Sequence, residues 1–301
     1  MDKRANGHAA IILAHVIFGL GVPVTKYLLD DWVTPMTYMA TRCIGAALIF
    51  WAIAAFLPKE KVERKDLQVI LLAGLLGFVL SQTLTAWSLN YTSPVYYSLI
   101  ATLTPIVTML LAIPFLHEGT TPIKTLGVLL GIGGAALMVF VKWQTDAGSN
   151  DLLGIFYALL SLLTWCIYLI ITRKVSAKYS AVTQMKWVFL ISTVAVLPFA
   201  WNEFPQTVLY GGGWSSEIWS GIAGMAFIVI FATVLGYFFI PYAMKYLRAT
   251  TVSVYTNLQP VVASLVAIAI GQDVFTWDKP VAAVLVLLGA WLVTAEFKKK
   301  S

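Results

Sequence analysis

Residues 87–134, WSLNYTSPVYYSLIATLTPIVTMLLAIPFLHEGTTPIKTLGVLLGIGG, lie without a gap over residues 242–289, YAMKYLRATTVSVYTNLQPVVASLVAIAIGQDVFTWDKPVAAVLVLLG, at an offset of 155. The overlay brings Tyr91 onto Tyr246, Ser98 onto Ser253, Leu103 onto Leu258, Pro105 onto Pro260, Glu118 onto Asp273, Lys124 onto Lys279 and Gly134 onto Gly289. At an offset of 147 the start of the chain meets its middle, with Gly7 on Gly154, Phe18 on Trp165 and Lys26 on Arg173. Such self-similarity marks a duplicated architecture. The halves predicted are residues 1–147 and 148–301.

What is duplicated is apolar. A bilayer-crossing helix needs about 20 mostly apolar residues, and ten such stretches run along the chain: 8–29, 35–57, 67–89, 93–116, 123–141, 152–172, 181–200, 218–244, 250–270 and 280–297. Polar connections are short apart from 58–66 and 201–217. Of 301 residues 59% are hydrophobic and 11% charged, with mean hydropathy +0.83; soluble domains carry about 25% charged residues, so that class is excluded. Aromatics at 13%, two cysteines and no three-residue glycine period exclude disorder, a disulfide scaffold and collagen. Cys43 and Cys166 sit inside apolar runs and read as small packing residues. In hydrocarbon every backbone amide must be paired, which leaves helices or closed barrels, and runs this long without alternation are helices. The fold class predicted is an all-α polytopic membrane protein with ten transmembrane helices.

The charges set the orientation. With the N-terminus cytoplasmic, fifteen of the twenty Lys and Arg fall in inside segments; only Lys26, Lys142 and Lys279 fall outside, and Arg42 and Lys186 lie within spans. The positive-inside rule places both termini in the cytoplasm. The net charge of +6 is then topogenic rather than a nucleic-acid footprint. The first span follows Lys3 and Arg4, but it is too long for a secretory signal and lacks a convincing small-residue cleavage site. Each half holds five spans; five is odd, so the second half is inverted. Inverted repeats about an in-plane axis characterise secondary transporters, whose site lies near the midplane between repeats. Some channels share the plan.

This pattern resembles the drug/metabolite transporter superfamily, in particular its EamA family. The resemblance rests on Phe18-Gly19 and Lys26 in the first span, Arg42 early in the second, Tyr-Thr-Ser-Pro at 91–94, Thr104-Pro105, Glu118 and the glycine-rich fifth span. The second copy departs from it, answering Gly19 with Cys166 and Arg42 with Phe189. The resemblance implies a carrier of the bacterial inner membrane, often an exporter of amino acids or related metabolites. It also implies a cavity formed by the first, third, fourth, sixth, eighth and ninth spans.

Soluble-enzyme motifs fail on context. Gly131-Ile-Gly-Gly-Ala-Ala has the letters of a dinucleotide fingerprint but no preceding strand; joined by Gly127 it reads as close helix packing. His117-Glu118 opens like a zinc-protease motif, yet position 121 is Thr. No metal site, cofactor or catalytic activity is predicted; the partners are a small-molecule substrate and the bilayer, as monomer or homodimer. An inverted-repeat channel and a membrane-embedded enzyme are the rival readings.

The substrate-site candidates gather around two prolines. Pro105 frees the carbonyl of Ala101 and Pro260 that of Thr256, and freed carbonyls facing a cavity would accept bonds from an ammonium or water. Tyr97 and Thr104, seven apart, share a face, as do Tyr255 and Gln259, four apart, with Asn257 nearby. Gln82, His15, Trp165 and Tyr168 complete the set; Asn257 and Gln259 read equally as interhelical glue. Ser161 and Thr125 show no recognition capacity. Trp32, Trp143, Trp214 and Trp219 read as interfacial belt residues. Arg42, roughly 10 Å deep at 1.5 Å per residue, is read as a structural or gating group that snorkels or pairs with Asp30 or Asp31. Glu118 and Asp273 read as end caps or gate partners. No Asp or Glu lies mid-span, which makes obligatory proton coupling unexpected and leaves His15 as the titratable candidate near neutrality. A cavity of aromatics, amides and hydroxyls without fixed midplane charge suits neutral or zwitterionic substrates.

Overall fold

The computed structural model describes residues 3–91, 97, 100–117, 120–143, 151–212, 218–269 and 277–294. The boundary between the predicted halves, Glu118 and Asp273 lie outside the described residues. Among those residues there are helices and no strand. We number the helices α1 (Lys3–Asp31), α2 (Pro35–Ala55), α3 (Arg64–Tyr91), α4 (Thr104–Leu116), α5 (Pro122–Trp143), α6 (Asp151–Lys178), α7 (Ala181–Ala200) and α8 (Ile218–Tyr246). Next, α9 joins Ala249–Val254, a 3-10 turn Tyr255–Asn257 and Leu258–Ala269, and α10 is Asp278–Thr294. Six of them, α1, α2, α3, α6, α7 and α8, are long and apolar enough to cross a membrane, and shorter apolar helices make up the remainder. Large apolar side chains such as Leu48, Leu110, Leu126, Phe156, Val194, Leu265 and Leu287 face outward, a surface suited to lipid rather than water.

Local chemistry sets the ends. Thr34 caps α2 by accepting from Thr37 N–H, with Pro35 in the first turn, and Ser180 caps α7 through Thr183 N–H. At the end of α4 the chain turns through His117, whose φ of 53° is left-handed and without glycine.

The packing repeats itself. Contacts of α1 with α8 and α9 have counterparts, five helices on, in those of α6 with α3 and α4; α2–α7, α4–α9 and α5–α10 are their own counterparts. The irregularities repeat as well. The wide π segments Gly74–Leu80 of α3 and Ile228–Leu235 of α8 coincide within a residue at the 155 offset. The 3-10 turn of α9 falls on residues 100–102, where the helix ahead of α4 gives way to a turn. Both breaks stand just before the paired prolines. The two-repeat helical fold therefore agrees with the duplication in the sequence.

The glycine-rich face of α5 serves the predicted packing. A Cβ on Gly134 would lie 2.7 Å from Ala282 O, and one on Gly289 would lie 2.6 Å from Gly131 N, so α5 and α10 touch backbone to backbone.

Connections are pinned in matching pairs. Beyond α2, Glu60 Oε2 accepts from Ser180 N and Oγ at 3.1 and 2.9 Å, and Lys178 Nζ lies 2.7 Å from both Glu63 and Asp66. At the other end Thr34 donates to Glu203, Thr41 bonds Tyr210 at 2.8 Å, and Leu209 N–H donates to Trp32 O at 3.2 Å. Trp32 is buried against Gly221 instead of standing in an interfacial belt, because residues after α7 fold over it. Trp219 is exposed as a belt residue would be. The Trp143 side chain and Trp214 lie outside what is described.

Candidate functional site

Between α1, α2, α3, α4, α6, α8 and α9 lies a cavity of about 980 Å³, its mouth included. Six of these helices are those the family resemblance implied; α2 is an addition. On α1 the lining residues Phe18, Gly21, Val22 and Thr25 follow i, i+3, i+4, i+7 spacing, and on α6 Ala158, Ser161, Leu162 and Trp165 do the same. Each of these stripes is one helix face. On α1, α2, α3 and α6 the lining residues fall between mid-length and the end that carries the α1–α2 connection, while on α8 and α9 Tyr237 and Thr256 lie about a turn beyond mid-length toward the other end.

Of the residues expected at the site, Gln82, Tyr97, Thr104, Trp165 and Gln259 line the cavity. His15, Tyr168, Tyr255 and Asn257 do not. They form a buried layer beyond its floor. Tyr255 OH bonds His8 Nδ1 at 3.0 Å, and Gln259 Nε2 lies 2.9 Å from His15 Nδ1. Tyr168 stacks on Trp165 at 4.9 Å and packs against Gly77 in the π segment of α3. Asn257 faces Gly131 of α5, and neither its Oδ1 nor its Nδ2 has a partner; Thr256 Oγ1 also lacks one.

Pro105 acts differently from expectation. Ala101 O, freed by Pro105, is taken by the hydroxyl of Thr104 at 2.7 Å. That carbonyl is therefore satisfied from within its own turn. The residue that caps it lines the cavity, so Thr104 presents its acceptor lone pairs, not its proton.

One network was not foreseen. Ser81 Oγ donates to Ser161 O at 3.2 Å and Ser161 Oγ donates to Ser81 O at 2.9 Å, tying α3 to α6. With the Ser161 proton so used, Thr85 donates to Ser161 Oγ at 2.8 Å and Tyr97 donates to Thr85 at 3.1 Å. Ser161 is thus a member of the cavity wall. The signal available in the sequence was the spacing of four between Ser81 and Thr85, which puts both on one helix face.

Arg42 departs most from its reading. It neither snorkels nor pairs with Asp30, which is bound to Lys26 at 2.7 Å, and it has no ion pair with a described carboxylate. The residue is 5% exposed and sits in the cavity wall. Nε donates to Thr233 Oγ1 at 2.8 Å and Nη1 to Gln82 Oε1 at 3.4 Å. Tyr38 and Phe78 rings flank it at 5.2 and 5.0 Å. Thr233 belongs to the π segment of α8, where its own hydroxyl donates to Ile228 O at 2.8 Å, five residues back. The wide turn thus aims the threonine oxygen at Arg42. Lys186 stands apart, 5.2 Å from the Trp51 ring. Among the described residues no three His, Cys, Asp or Glu converge as a metal site.

A duplicated helical membrane fold with a cavity between its repeats defines a class, the polytopic transporters. The family model for EamA-like transporters matches residues 5–140 and again 152–295, and the chain belongs to that family. It is similar to the uncharacterized transporter YyaM of Bacillus subtilis, 26% identical over 293 residues that cover 95% of this chain and 93% of that one. It is also similar to a WAT1-related protein of Arabidopsis thaliana, 24% identical over 320 residues covering 97% and 91%. A crystal structure with 17% identity superposes with a TM-score of 0.77 over 98% of each chain, a likeness of fold. The family and its Bacillus relative carry the name of transporters.

Proposed function

We propose that the protein is an alternating-access carrier for small zwitterionic or neutral metabolites, amino acids foremost, working by export or exchange. It acts in a bacterial cytoplasmic membrane with both termini inside. The observation that carries this reading is the one-sided cavity. Its wall mixes helices of both repeats, and from a base near mid-depth at Tyr237 and Thr256 it extends toward the α1–α2 end. Toward the other end it is floored by the buried layer of His15, Tyr168, Tyr255 and Asn257. By the basic-residue bias the α1–α2 end is external, so this is an outward-facing form.

The unpartnered amide oxygen and nitrogen of Asn257, which lies outside the cavity, support the same reading. Burying such groups without partners costs about 1–3 kcal/mol each, a cost relieved if the opposite opening brings them into a water-filled cavity. Gln82, Tyr97, Thr104, Trp165 and Gln259 are the substrate contacts of the outward form. His15, Tyr168, Tyr255 and Asn257 join them in the inward form. Pro105 and Pro260 position the moving helices, Arg42 ties α2 to α8 through Thr233 while facing the cavity, and Glu118 and Asp273 act as gate partners for basic residues.

Uptake of an amino-acid panel into proteoliposomes, with and without internal substrate, tests this. A carrier shows faster uptake when substrate is present inside. A channel shows high flux with no such acceleration, and that outcome would replace the proposal.

A further inference from the structure

Among the described residues Arg42 is the only cationic side chain in the cavity wall, and no Asp or Glu lines it. A guanidinium presents five N–H donors. Here two oxygens receive them, Thr233 Oγ1 at 2.8 Å and Gln82 Oε1 at a long 3.4 Å, with Met39 Sδ 3.9 Å away. The described carboxylates that form ion pairs are engaged by Lys26 and Lys178. A buried cation without counter-charge is costly unless something completes it, and water or a ligand in the cavity is what remains to do so. The opposite charge finds no carboxylate among the described lining residues: an ammonium group in this cavity meets hydroxyls, two amides and rings.

The cavity has a second pole. From the guanidinium an aromatic series runs through Phe78 to Tyr237, whose ring lies 4.8 Å from Phe78, 5.4 Å from Phe18 and 6.1 Å from Trp165. Phe18, Trp165 and Tyr237 all face the cavity. A ligand bridging the two poles carries a planar oxyanion at one end and an apolar or aromatic body at the other. Arg matches a carboxylate through two parallel N–H···O bonds, a geometry that Lys cannot copy.

We propose that Arg42 is the carboxylate anchor of this cavity, which shifts the substrate range proposed above from zwitterionic or neutral metabolites to carboxylates with or without an amine. Monocarboxylates with an apolar tail then bind alongside amino acids. The proposal rests on the carrier reading for its transport consequence, whereas binding itself does not depend on it. The sequence places this arginine in a span without saying which way it faces. The π segment of α8 and the rings of Tyr38 and Phe78 turn it inward.

The test uses the purified full chain and three probes of similar size: 3-phenylpropionate, its uncharged isostere 3-phenylpropanamide, and L-phenylalanine. Titration calorimetry should find the propionate and the amino acid within about tenfold of each other and the amide at least about tenfold weaker, as a charge-assisted hydrogen bond outweighs a neutral one. Arg42→Gln should erase the difference between acid and amide. Arg42→Lys keeps charge and stem, so it guards against a mere folding defect; it should retain a preference for the acid at reduced affinity. Thr125→Ala, outside the cavity, should match wild type.

Equal binding of acid and amide, wild-type acid affinity in Arg42→Gln, or no binding of either carboxylate at millimolar concentration would overturn the proposal. Arg42-dependent, acid-selective binding without uptake into proteoliposomes would support the anchor and overturn the carrier. Uptake that is indifferent to Arg42 would do the reverse.

Discussion

Gly77 lies in the π segment of α3, directly beneath the residue that backs the cavity wall. A Cβ at this position would stand 2.6 Å from Tyr168 Cβ, and closer still to the ring, where ordinary contact is 3.4–4 Å. Gly77→Ala therefore requires α3 and α6 to separate by at least 0.8 Å, the difference between 3.4 and 2.6 Å. The obstructing atoms include the stem of the tyrosine, so a rotamer change cannot absorb it. Overpacking of this kind costs about 1–3 kcal/mol.

The displacement reaches the site because Tyr168 stacks on Trp165, which lines the cavity. Thermal unfolding in detergent should show Gly77→Ala destabilised, and the surviving folded protein should bind 3-phenylpropionate more weakly. Gly133→Ala is the control: nothing lies within 4 Å of its Cβ, and Ala favours a helix over Gly by about 0.5–1 kcal/mol. It should be neutral or stabilising. Adding Tyr168→Gly, which removes the Cβ as well as the ring, to Gly77→Ala removes the clash, so the double variant should be more stable than the sum of the singles predicts. Unchanged stability of Gly77→Ala, or strict additivity in the pair, would refute the packing account.

Other predictions concern the site, coupling and pH. Gln82→Ala should weaken substrate binding roughly two- to tenfold, the worth of about 0.5–1.5 kcal/mol for a hydrogen bond. Trp165→Ala should weaken it as well, and Thr125→Ala should not, all at matched expression in a binding assay. Transport into proteoliposomes should persist without an imposed proton gradient, since no carboxylate lies mid-span; if His15→Gln abolished gradient-driven accumulation and spared exchange, the uncoupled model would fail. Burial alone would raise the Glu60 carboxyl, but hydrogen bonds from Thr183 and Ser180, with the charge of Lys245, hold it below the usual carboxylate value. A depressed carboxylate stabilises above its unfolded pKa of about 4.3 and loses that contribution as pH falls through the lower folded value. Glu60→Gln should flatten this acid limb of a thermal-unfolding series by at most about 1 kcal/mol, because the group is largely exposed to water.

How much was legible in the sequence depended on whether a property belongs to a helix or to its rotation. Apolar length reveals spans, and the overlay of Pro105 on Pro260 marks two breaks that recur in α4 and α9. The close face of α5 follows from glycine spacing alone. Rotation is a different matter. Arg42 could be assigned a depth, but not a face, because its direction depends on Thr233, which a π segment re-aims in a helix 191 residues away. Tyr255 and Gln259 share a face on a regular helix; the 3-10 turn between them sends Tyr255 to His8 and Gln259 to the cavity. A lone serine such as Ser161 in an apolar helix carries little signal until its partner helix is known.

The central claim is that one cavity is reached from the two membrane faces in turn. A single cysteine at Gln259, in a background where Cys43 and Cys166 are both buried, measures this with a membrane-impermeant thiol reagent applied to intact cells and to inside-out vesicles. The account predicts labelling from either side, slowed on both by bound substrate. Labelling from one face alone, under every substrate condition, would contradict it.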